Sequence, residues 1–279
     1  MPRKKKATKK TALNNAVSVP SPLQGPKLGE ASISEQTKVQ GYTVHQMSER
    51  LAEKEGIAKY VVNNVIRAGM SIFLDAGSTV HHVGHCLFED KSQTGLTIMT
   101  NNMLVFHEFT KLSGVMSDRG NVLALTGGVY NQNHEALFGQ AAEQVLKSFN
   151  PKVVVVGASG FMVTESPSDP DDPQGAFHHD LVSEVVTKKA IVTKRTIHRV
   201  IVCDYSKIKV WDASCFATIE TLALNTEQCT IVTSQVPSDL TEEDKGRFQA
   251  RYNETCEALK KLSRGKVNMV RVDLGGNVT

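Results

Sequence analysis

Six short runs rich in Val, Ile or Leu recur between residues 71 and 233, and they limit the possible folds more than any other feature of the chain. They cover 71–75, 96–100, 121–126, 153–157, 199–204 and 228–233, and helix-length segments lie between most of them, at 80–88, 103–112, 139–148, 180–196 and 216–224. Continuous apolar strands alternating with helices predict an α/β fold, a mostly parallel sheet covered by helices on both faces. Right-handed crossovers then bring every strand C-terminus to one edge, the edge where open α/β sheets bind ligands. Ahead of this pattern, apolar positions from Val44 to Ile66 suit one or two lead-in helices within 44–68, with a break near Gly56. Behind it, 241–264 reads as a long polar helix and 267–272 as one more strand.

Four of the runs end in small or polar residues: Asp75-Ala76-Gly77-Ser78-Thr79, Thr100-Asn101-Asn102, Thr126-Gly127-Gly128 and Gly157-Ala158-Ser159-Gly160. Gly77 followed by two hydroxyls and a helix suits an anion cradle, because the helix N-terminus presents N–H donors and partial positive charge. The same residues equally suit a plain turn with Ser78 or Thr79 as N-cap. Thr100 and Asn101 fit helix capping as well as a pocket wall. Gly127 and Gly128 fit a close backbone approach or a hairpin. Neither a phosphate-binding Gly-Lys-[Ser/Thr] loop nor a Gly-x-Gly-x-x-Gly signature is present. Four such endings on one sheet edge predict a small-ligand pocket.

Charge enters through Glu184 and Lys188, spaced i and i+4, which read either as an exposed helix pair or as a lysine aimed at the pocket. Asp204-Tyr205-Ser206-Lys207 closes the fifth run, where Lys207 suits a point-charge contact to phosphate. The Pro- and Asp-rich segment 166–174 reads as a lid. No serine stands in a Gly-x-Ser-x-Gly elbow, so a Ser-His-Asp triad is not expected. His81, His82 and His85 have no second ligand pair at finger or zincin spacing, so no metal site and no cofactor is expected.

Residues 1–40 carry +6 of the formal net charge of +3, leaving a mildly acidic body of −3. With Pro20, Pro22, Pro26, Gly25 and Gly29 and no apolar period, they read as a disordered basic tail, and 41–279 reads as one α/β domain. The run Arg3-Lys4-Lys5-Lys6 to Lys10 suits a solubilising tail, a weak DNA-backbone anchor or a nuclear-type address. The five cysteines form no Cys-x-x-Cys pair, and buried free thiols in a reducing, cytoplasmic setting are expected. Neither a secretory signal nor a membrane-spanning run is expected.

Taken in order, EKEGIAKYVVNNVIRAGMSIFLDAGST, LTIMTNN, LALTGG, ALFGQAAEQVL, VVVVGASG, EVVTKKAIV and VIVCDYSK resemble the C-terminal effector-sensing domain of the DeoR family of bacterial sugar-metabolism repressors, from about residue 48 to 233. The resemblance implies a fold similar to ribose-5-phosphate isomerase and the CoA-transferases, a phosphorylated sugar or similar small anion as ligand, and a homo-oligomer that regulates transcription. Carried over by residue, Asp75, Gly77, Ser78 and Thr79 form the main loop. Asp75 meets a polar sugar group and the other three hold the phosphate. Thr100, Asn101, Gly127, Gly128 and Gly157 line the pocket, and Glu184, Lys188, Asp204 and Lys207 stand at its far side. Ser78 replaces the more usual threonine, and Tyr205 replaces a small residue. A regulator of this type carries a winged helix-turn-helix of roughly 60 residues; about 45 precede the domain here, broken by prolines, so the DNA-reading part is expected to be missing. The second reading is an enzyme on the same fold, with Glu184 or Asp204 as base and Lys188 or Lys207 steadying an oxyanion.

Overall fold

The computed structural model describes residues 48–166, 173–178, 182–212 and 214–279. The basic tail and most of the expected lid therefore lie outside the described residues. In chain order the elements are α1 (Leu51–Asn64), β1 (Ser71–Leu74), α2 (Ser78–Glu89), β2 (Thr97–Thr100), α3 (Met103–Lys111), α4 (Ser113–Asp118), β3 (Val122–Leu125), β4 (Val129–Asn131), β5 (Ala136–Phe138), α5 (Gln140–Ser148), β6 (Val153–Gly157), β7 (Gly160–Met162), β8 (Gly175–His178), α6 (Val182–Val192), β9 (Thr196–Val202), β10 (Ser214–Thr218), α7 (Ile219–Ala223), β11 (Thr226–Ser234), α8 (Glu242–Leu262) and β12 (Val267–Val272).

All seven apolar runs, the C-terminal one included, enter one sheet in the order β12-β11-β9-β6-β1-β2-β3, and every neighbouring pair is parallel. Their alternating side chains feed two cores. Ile72, Leu74, Val153, Val155, Val200 and Val202 pack with α1–α4 residues such as Ile57, Val61, Val80, Val83, Val105 and Met116. Phe73, Val154, Val156, Ile201 and Ile231 face the other way, against Leu146 of α5, Ile191 of α6, Leu222 of α7 and Leu259 of α8. Helices thus cover both faces, as continuous apolar strands require. The chain runs outward from β1 to β3, then returns to lay β6 on the other side of β1. That reversal opens a crevice at the C-terminal ends of β1 and β6, the usual place for a ligand in such sheets.

Three expectations are corrected. Gly56 does not break the lead-in helix but lies inside α1, where a Cβ would come within 2.3 Å of the Asp273 carbonyl oxygen. Gly56→Ala is therefore expected to destabilise by about 1–3 kcal/mol, the usual range for overpacking. Gly246→Ala, on α8 with open space around it, should instead gain up to about 1 kcal/mol from helix propensity. Urea melts of the two variants check both signs. The segment 216–224 is not one helix: β10 ends at Thr218, whose hydroxyl accepts from the Thr221 N–H and starts α7. β10 pairs antiparallel with β8, and β8 with β7, in a second sheet of three strands that was not expected.

The cysteines are free, but only Cys203 and Cys229 are buried; Cys86, Cys215 and Cys256 are half-buried. Burial raises the thiol pKa at each of the five, to about 11 at Cys86 and about 12 at Cys229. Among the described residues, no helix is long and apolar enough to cross a membrane.

Candidate functional site

An open cleft sits at the β1/β6 crevice, the usual place for a ligand in such sheets. One wall is the loop after β1. Gly77 takes φ +117°, a conformation that side chains disfavour, and it stands as the N-cap of α2 with no side-chain oxygen capping the helix. Neither Ser78 nor Thr79 is the N-cap; both lie in the first turn and line the cleft. The first N–H groups of a helix have no partner within it, so they form an anion-favouring end.

The opposite wall comes from β6 and β9. Gly157 ends β6, Ala158 and Ser159 follow it, and all three line the cleft. Ser159 is fixed through its N–H and hydroxyl, both donating to the Phe177 carbonyl at 3.0 and 3.1 Å. Asp204 and Lys207 follow β9 and also line it. The Asp204 carboxylate accepts from the Ser206 N–H and hydroxyl, at 3.0 and 2.5 Å, which holds the short turn carrying Lys207. Tyr205 in that turn packs edge-on against Phe248 of α8, ring centroids 4.9 Å apart.

Glu184 and Lys188 are no surface pair; both are buried, at 0% and 1% exposure. Lys188 Nζ pairs with Asp75 and donates to the Gly157 carbonyl at 3.1 Å. It lines the cleft, whereas Asp75 sits behind it. Glu184 accepts from Asn131 Nδ2 at 2.7 Å and meets His178 Nε2 at 2.8 Å.

Thr100, Asn101, Gly127 and Gly128 do not line the cleft. Thr100 ends β2 and the other three follow β2 and β3, on the side of β1 away from β6, so their strand ends stand outside the crevice. Thr100 and its neighbour Asn102 instead brace the first loop from behind. The Thr100 hydroxyl donates to the Leu74 carbonyl at 2.6 Å, and Asn102 Nδ2 donates to the carbonyls of Asp75 and Gly77, each at 3.3 Å. The Asn101 carbonyl accepts from the Leu137 N–H at 2.8 Å. Gly128 permits a hairpin: a Cβ there would lie 2.5 Å from the Phe138 carbonyl oxygen.

Residues with no local signal complete the lining: Glu49, Arg50 and Lys54 at the start of α1, His134 on the β4–β5 turn, and His178 on β8. Burial works against the Arg50 guanidinium, but Asp204 at 3.6 Å, with Tyr205 and Glu49, outweighs it and raises its pKa. Burial lowers the Lys54 pKa, only partly countered by Asp204 and Glu49. With Lys188 neutralised by Asp75, the cations Arg50, Lys54 and Lys207 against Glu49 and Asp204 leave the lining with a formal excess of one positive charge. Such a cleft attracts a small anion.

Residues 49–235 match the family described as the DeoR C terminal sensor domain. The chain belongs to that DeoR sensor-domain family. Similar curated proteins are a "Putative aga operon transcriptional repressor" of Escherichia coli O157:H7, 24% identical over 155 residues, covering 54% of each chain; the "Uncharacterized HTH-type transcriptional regulator YgbI" of Escherichia coli K12, 25% identical over 173 residues, 60% of this chain and 59% of that one; and the "Transcriptional repressor AccR" of Agrobacterium fabrum, 28% identical over 122 residues, 42% and 43%. The chain spans about half the length of these relatives. Among solved structures, ribose 5-phosphate isomerase A of Methanocaldococcus jannaschii aligns over 56% of this chain and 54% of its own, at 16% identity and a TM-score of 0.35. Likeness at that level is too slight to assign an activity.

Proposed function

We propose that this DeoR-family sensor domain binds a phosphorylated sugar or a closely related small anion in the β1/β6 cleft and passes the binding on to transcription. The observation that carries this reading is the uncapped N-terminus of α2, with Gly77, Ser78 and Thr79, opening onto a lining that also holds Arg50, Lys54 and Lys207. Helix N–H groups and hydroxyls suit a phosphate, and the lysines neutralise its charge. Ser159, His178 and Asp204 offer polar groups across the cleft for sugar hydroxyls. Asp75 acts from behind, holding Lys188 in place, rather than touching the sugar as its loop position suggested. To act as a switch, the ligand binds one conformational or oligomeric state better than another, and a homo-oligomer supplies such states. The basic run Arg3–Lys10, which lies outside the described residues, would add a weak electrostatic contact to the DNA backbone.

A thermal-shift screen tests the reading. A sugar phosphate at a hundred times its Kd stabilises by about 2.7 kcal/mol, which raises Tm by several degrees, while the unphosphorylated sugar leaves it unchanged. If no phosphorylated sugar, nucleotide or inorganic phosphate shifts Tm, the reading fails. The buried His178–Glu184 pair beside Lys188 favours a second reading, acid–base isomerisation of the same ligand. An NMR time course divides the two: a sugar phosphate unchanged after a day at high protein concentration removes the enzyme.

A further inference from the structure

We infer that His134, His178 and Glu184 form a binding site for one divalent first-row transition ion, such as Zn2+ or Co2+, on the wall of the cleft. Their ligand atoms, one from each side chain, all lie within 4.8 Å of one another. Two imidazoles and a carboxylate are the donor set that Zn2+, Co2+ and Fe2+ accept, and three protein ligands leave a position open for an exogenous group.

The three donors come from separate elements: His134 from the turn after β4, His178 from the end of β8, and Glu184 from the first turns of α6. The His178 and Glu184 atoms are already 2.8 Å apart. The His134 and His178 rings stand 6.0 Å apart between centroids, tilted by 65°. Around an ion at about 2.0–2.1 Å from each donor, ligand atoms sit about 3.3 Å from one another. His178 and Glu184 then need little movement, and His134 swings in by about an ångström or more on its turn. Asn131 donates to the second Glu184 oxygen at 2.7 Å, the kind of outer contact that orients a ligating carboxylate. Because His134 and His178 both line the cleft, the open coordination position faces the bound small molecule, where it would take a hydroxyl or carboxylate oxygen. The sequence spacing of 134, 178 and 184 resembles no metal motif, and the three meet through the tertiary fold.

The test uses the full chain and the metal alone, so its outcome is separate from that of the sugar-phosphate reading. Metal-free protein titrated with Co2+ should bind one ion per chain and develop visible absorption of four- or five-coordinate cobalt, which Zn2+ abolishes. His134→Ala and Glu184→Gln should each weaken binding at least about tenfold, the loss that outer-shell partners alone can produce. His107→Ala, at an exposed histidine on α3, should leave it unchanged. Should Glu184→Gln fail to fold, His134→Ala, on a surface turn, decides alone. No stoichiometric cobalt binding, or binding of equal strength in His134→Ala, overturns the site and leaves His178–Glu184 as a plain hydrogen-bonded pair.

Discussion

Lys188→Met is expected to destabilise the domain by about 3–5 kcal/mol in urea denaturation, because it strands a buried carboxylate without its counter-ion. Asp75 is wholly buried, Lys188 is its ion-pair partner, and the second Asp75 oxygen has no hydrogen-bond partner. The same substitution removes the donor to the Gly157 carbonyl, so both walls of the crevice loosen together. Converting Asp75 to Asn in the Lys188→Met background removes the stranded charge and should restore a large part of the loss. A single-variant cost under about 1 kcal/mol is what solvent-exposed pairs show, and it would contradict the buried pair described here.

The second large effect concerns two cations of the cleft lining, Lys54 and Lys207. Lys54→Met and Lys207→Met should each weaken a phosphorylated ligand by about 10- to 100-fold, since hydrogen bonds to charged groups contribute about 1.5–3 kcal/mol. Calorimetric titration reads the change. Lys54 adds a pH signature. Burial lowers its pKa, so its charge is lost as pH rises through a value below the ordinary lysine range. The affinity of the wild type should therefore fall on the alkaline side earlier than that of Lys54→Met, which has no such charge to lose. Equal affinities for wild type and both variants would move the phosphate away from these two lysines.

The sheet was largely legible in the sequence because a strand buried on both faces needs a continuous Val/Ile/Leu run, as the five central strands have, and the partly exposed edge strands β3 and β12 carry such runs too. The small sheet of β7, β8 and β10 escaped notice for the same reason. Its strands, Gly-Phe-Met, Gly-Ala-Phe-His and Ser-Cys-Phe-Ala-Thr, are short and carry no such run, and Phe216 and Ala217 flow without a break into the helix that follows. At the site, loops directly after β1, β6 and β9 could be placed from sequence alone. Strand order could not, which is why Thr100, Asn101, Gly127 and Gly128 were expected on a crevice that β1 separates them from. Burial could not either: Glu184 and Lys188 at i and i+4 read the same whether a helix face is wet or packed. Arg50, Lys54, His134 and His178 arrive from other elements through tertiary contacts, and no local pattern marks them.

The most direct measurement of the central claim is 31P NMR of sugar phosphates mixed with the full chain and with the Lys54→Met/Lys207→Met double variant. A phosphate seated at the start of α2 between these lysines should shift or broaden its phosphorus resonance with the wild type and return to its free position with the variant. Unperturbed resonances across the panel, or the same perturbation with both proteins, would contradict a phosphate site in the β1/β6 cleft.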